Sequence, residues 1–87
     1  MSKKIIVNLE SIWDEYSEYS AEECENNLDE MKRDFLVTLS EYSDVIDDSE
    51  FDYILENLEY SNNLNEWNQQ LDELFEWANY NNVKIKI

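Results

Sequence analysis

No glycine and no proline occurs anywhere in these 87 residues. The chain therefore has neither the residue that most easily takes left-handed turns nor the one that stiffens them. Its breaks must fall at Asn, Ser and Asp. Eleven Asn residues are present, several in adjacent pairs, and they can take the cap and turn conformations that Gly otherwise fills.

Apolar spacing between those breaks assigns the elements. Ile5, Val7 and Leu9 alternate with Ile6 and Asn8, as in a strand. Ile12, Trp13, Tyr16 and Tyr19 then follow helical spacing. Ser20 and Glu23 form a Ser-x-x-Glu capping box. Behind it Cys24, Leu28, Met31, Phe35, Leu39 and Tyr42 keep steps of 3 and 4, which predicts one long helix. Residues 35–39 also read as a short buried strand, because Leu36 and Val37 lie off the helical stripe. Residues 43–48 form a polar connection. Phe51, Ile54, Leu55 and Leu58 mark another helix, capped by Asp48 or Ser49. Asn63 with Glu66 caps a last helix whose inward face is Leu64, Trp67, Leu71, Leu74, Phe75 and Ala78; Trp77 falls off that face and reads either as core or as exposed. Asn81 and Asn82 end it, and Val83, Ile85 and Ile87 alternate with Lys84 and Lys86 in a final strand. The expected fold is α+β and mostly helical, about four helices with the N- and C-terminal strands forming a small sheet at one end. Residues 1–87 read as a single acidic domain.

The charge is extreme. There are 22 acids against six bases, a formal charge of −16, alongside three Trp, six Tyr and three Phe. That aromatic content separates the chain from a disordered acidic tail. A small domain needs a net charge of only about 2–8 for solubility, and the excess repels itself in the compact state. All the acids lie in residues 9–82 with only Lys32 and Arg33 beside them; Lys3, Lys4, Lys84 and Lys86 belong to the terminal strands. An electropositive partner is the expected reason for such a body. Phosphates repel it, so direct binding to nucleic acid or to an anionic membrane is not expected.

Two acidic constellations stand out. Glu23, Glu30, Asp34 and Glu41, separated by 7, 4 and 7 residues, form one row if the helix is continuous. That row spans roughly 27 Å at 1.5 Å per residue. It reads either as a phosphate mimic or as a solvated helix face. Asp44, Asp47, Asp48, Glu50 and Asp52 form the densest run, either a contact loop for a basic partner or a capping segment. Asp48, Glu50, Asp52 and Glu59 fall on calcium-loop positions, but Tyr53 stands where that loop needs Gly and helical spacing runs through it, so no metal site is expected. The expected partner-binding set is these residues without Glu59 and with Tyr42. Glu-Tyr-Ser occurs four times at irregular spacing. Tyr16, Tyr19, Tyr42 and Tyr60 then either cover core edges or stand beside carboxylates as stacking surfaces for arginine.

Neither His nor a Gly-rich phosphate loop is present, and pairs among 22 acids arise by chance, so no enzymatic activity and no cofactor are expected. Cys24 reads as a small apolar residue. A single cysteine, no apolar run of about 18 residues and no signal-peptide pattern lead to the expectation of a cytoplasmic protein.

Residues 3–12, and the last helix followed by Val83, Lys84, Ile85, Lys86 and Ile87, resemble the two ends of the barstar family of acidic ribonuclease inhibitors. The resemblance covers about a third of the chain and implies a closing helix and parallel strand. The segment that carries inhibition in that family has no counterpart here, so no functional residue is carried over. In size and charge the chain also resembles phage-encoded DNA mimics of the anti-CRISPR and anti-restriction kind, which share composition and not sequence. These likenesses imply an inhibitor of a basic nucleic-acid-binding protein, such as a CRISPR effector, a restriction enzyme or a nuclease, with an immunity protein against a nuclease toxin as the alternative. A small assembly subunit is the alternative of another class. A two-stranded sheet has exposed edges and marginal stability of its own, leaving either a monomer or a homodimer.

Overall fold

The computed structural model describes residues 4–87, so Lys3 of the basic N-terminal segment lies outside the described residues. The order is β1 (Ile5–Asn8), α1 (Glu10–Ser17), α2 (Ala21–Asn26), α3 (Leu28–Glu41), α4 (Ser49–Glu59), α5 (Leu64–Tyr80) and β2 (Val83–Lys86). The two strands pair in parallel, Ile5 opposite Val83 and Val7 opposite Ile85. The fold is thus α+β and mostly helical, with a small sheet formed by the chain's two ends.

The expected long helix is two helices. The Ser20–Glu23 capping box opens α2, each partner satisfying the other's backbone N–H at 3.2 Å. Asn27, at φ −113° and ψ 23°, then leaves helical geometry, and its side-chain amide donates to the Glu23 carbonyl at 2.8 Å. Asn27 closes α2 and starts α3. Residues 35–39 lie inside α3 and are helical; Leu36 is half-buried and Val37 is 56% exposed, as their position off the stripe requires.

Asp48 caps α4 by accepting from Glu50 N–H at 2.8 Å. Asn63 caps α5 through Glu66 N–H at 2.8 Å, while the Glu66 carboxylate reaches one residue further back, to Asn62 N–H at 2.9 Å. At the far end of α5, Asn82 takes a φ of 56°. That left-handed conformation is one Asn tolerates better than most residues, and it turns the chain from α5 into β2 without a glycine.

Val7, Leu9, Phe35, Leu39, Phe51, Leu58, Trp67 and Leu74 are almost wholly excluded from solvent and centre one hydrophobic cluster. Phe35 meets Trp67 edge-on at 5.6 Å between ring centroids. Trp77 is buried, not exposed, and tilts against Phe51 at 5.1 Å. Helix α5 packs against α4 as well as α2 and β2, so its buried arc is wider than one stripe. Ile46 is buried too and anchors the acidic connection between α3 and α4.

Three polar contacts fix the helices. Lys32 Nζ donates to the Ser61 carbonyl at 2.7 Å, placing a cation at the C-terminal end of α4, where the helix dipole favours it. Leu64 N–H, an unpaired donor of the first turn of α5, donates to Glu25 of α2 at 2.9 Å. Asn8 N–H of β1 donates to the Tyr42 hydroxyl at 3.2 Å. No helix among the described residues is long and apolar enough to cross a membrane.

Candidate acidic binding surface

Every acid except Glu10, Asp34 and Asp48 is exposed. Among the described residues the one ion pair joins Lys86 to Glu10 at 3.1 Å, at the sheet. The charge of the helical body is therefore left to solvent or to a partner. Lys84 and Lys86 are exposed on β2, in register with Ile6 and Asn8, and Lys86 meets the helical body at Glu10, the first residue of α1.

The break at Asn27 divides the expected acidic row. Glu23 sits on α2 with its carboxylate engaged in the capping box. Glu30, Asp34 and Glu41 share α3, and spacings of 4 and 7 keep them on one stripe of about 16 Å. Asp34 is half-buried and accepts the Tyr16 hydroxyl at 2.7 Å, leaving Glu30 and Glu41 freely exposed.

The denser run follows directly. Glu41 ends α3, Asp44 and Asp47 stand exposed in the connection, and Glu50 and Asp52 are exposed in the first turn of α4. Asp48 belongs to this run in sequence but is half-buried, its carboxylate engaged as the cap of α4. Tyr42 is half-buried, its hydroxyl tied to β1. Residues 48–59 are a cap followed by helix α4, not a calcium loop.

The Glu-Tyr-Ser triplets divide the same way. Tyr16 is buried, Tyr19 packs edge-on against it at 5.2 Å, and Tyr42 is half-buried; Tyr60 alone of the four is exposed, at 69%. Ser20 caps the helix that follows it. Ser17, Ser43 and Ser61 instead donate back to the carbonyls of Asp14, Ser40 and Leu58, three residues earlier. Burial, with the Asp34 hydrogen bond and nearby carboxylates, raises the Tyr16 hydroxyl well above its ordinary range. Burial and then Glu23 raise the Cys24 thiol, which keeps it protonated and a poor nucleophile.

One acidic and aromatic face escaped the expected set almost entirely. Asp52, Tyr53, Glu56 and Glu59 are all exposed on α4, Tyr60 is exposed as its C-cap, and their spacing places them on one side of that helix. Only Asp52 was expected there. The signal was available: the apolar positions of α4 define its inner face, and these residues occupy the opposite one. Compared with protein families, with curated proteins and with solved structures, the chain matches none.

Proposed function

We propose that this protein is a stoichiometric inhibitor that covers the basic nucleic-acid-binding site of a partner protein, presenting carboxylates where that partner otherwise meets phosphates. The observation that carries the reading is the exposed charge of the helical body, of which one carboxylate among the described residues, Glu10, is ion-paired. Nothing in folding benefits from such a surface, whereas a basic cleft gains both steered encounter and close charge pairs. Exposed Tyr53 and Tyr60 add ring faces on which arginine stacks. The same surface serves whether the partner is a defence effector met by a phage protein or a nuclease toxin met by its immunity protein.

A mimic competes with nucleic acid and does not bind it. In a gel-shift titration with duplex DNA, single-stranded DNA and RNA, no complex is expected with this protein alone. Saturable binding to any of the three contradicts the reading.

A further inference from the structure

A groove of about 420 Å³ runs between α3 and α4. Its floor is apolar: Leu36 and Leu55 are half-buried, and Val37 is 56% exposed. Along the α4 side stand Asp52, Glu56 and Glu59, exposed and spaced by 4 and 3 residues, so they line about 10 Å of helix. Arg33, on α3 one turn before Val37, stands on the other helix. The groove thus pairs an uncovered apolar floor with a rim that is negative along α4. An amphipathic helix docks in such a trough through apolar residues at i, i+3 or i+4, and i+7, with its flanking charges over the rim.

The geometry points to this groove as the seat of a basic amphipathic α-helix of the partner protein, with apolar side chains over Leu36, Val37 and Leu55 and Lys or Arg over Asp52, Glu56 and Glu59. Charge complementarity selects that occupant. An acidic helix meets three carboxylates, and a second copy of this chain brings its own charge of −16. This assignment rests on the reading that the acidic body covers a basic surface. It adds an apolar anchor, which gives the complex specificity that charge alone lacks.

The probes are two fluorescently labelled 18-residue peptides of identical Leu and Lys content, one with its leucines on a single helical face and one with them scattered. Anisotropy titrations in 0.15 M NaCl read their affinities. The amphipathic peptide is expected to bind at least about tenfold more tightly, as central apolar anchors do in helix–groove complexes. Val37→Asp adds negative charge, yet should abolish that preference, whereas Glu56→Lys with Glu59→Lys should weaken both peptides. Equal affinity of the wild type for the two peptides overturns the groove while leaving the acidic-surface reading standing. A preference unchanged in Val37→Asp also overturns it. So does a wild-type dimer in light scattering that Val37→Asp returns to monomer, since the occupant is then a second copy.

Discussion

The hydroxyl of buried Tyr16 donates to the carboxylate of Asp34 at 2.7 Å, joining α1 to α3 and turning one acid of the α3 stripe inward. Hydrogen bonds to charged groups are stronger than neutral ones, and Asp34 is half-buried. Tyr16→Phe should therefore lower stability by about 1–2 kcal/mol at neutral pH, read by urea denaturation. The Tyr16 hydroxyl titrates higher in the folded protein than in the unfolded chain, where its pKa is about 10. The bond's contribution is thus complete below about pH 10 and declines as pH rises beyond it. The gap between wild type and Tyr16→Phe should narrow in denaturation at pH above about 10. A gap that widens there would contradict the assignment.

Two neighbouring aspartates should separate structure from surface. Asp48 caps α4, and Asp48→Ala should lower stability by about 1 kcal/mol, the usual cost of a lost N-cap. Asp47 is exposed and makes no hydrogen bond within the described residues, so Asp47→Ala should stay within about 0.5 kcal/mol of wild type. Thermal melts of the two variants in the same buffer decide between them. Equal losses would mean that the connection from α3 to α4 does not divide its acids between cap and surface.

Salt should stabilise the isolated protein. The radius of gyration is 12.9 Å, and the Debye length falls from about 30 Å at 0.01 M to about 8 Å at 0.15 M. At low salt, therefore, most of the exposed acids repel one another across the whole molecule. Relief of even about 1 kcal/mol raises the melting temperature of a domain this size by about 4–8 °C. Melts across that salt range should show the rise. A melting temperature that falls with salt would place the acids in stabilising pairs and remove the exposed charge on which the function rests.

The caps were legible in the sequence because their chemistry is local: Ser20 with Glu23, Asp48 before α4 and Asn63 before α5 each satisfy donors within a few residues. The break at Asn27 was not, because Cys24 and Leu28 keep helical spacing across it, both helices turning their apolar residues toward one core. Its signal lay in the paired Asn26 and Asn27. Trp77 was left open between core and surface because a single stripe assumes one packing partner, while α5 has several. Among the acids, sequence spacing located Glu41, Asp44, Asp47, Glu50 and Asp52, which the fold leaves exposed. It could not separate them from Asp34 and Asp48, whose carboxylates are engaged by a tyrosine of another helix and by the first turn of α4.

The central claim is that the acidic body, and not the basic sheet, occupies a partner's nucleic-acid-binding site. Immobilised protein should capture from a cell lysate a protein that saturating nucleic acid releases. The side chains of Glu41, Asp44 and Asp47 are exposed and make no hydrogen bond within the described residues, so replacing all three by Lys tests the surface without removing a cap or a tertiary contact. That variant should lose the captured protein, whereas Lys84→Glu with Lys86→Glu should retain it. A captured protein that stays bound under excess nucleic acid, or that responds equally to both variants, would contradict the account.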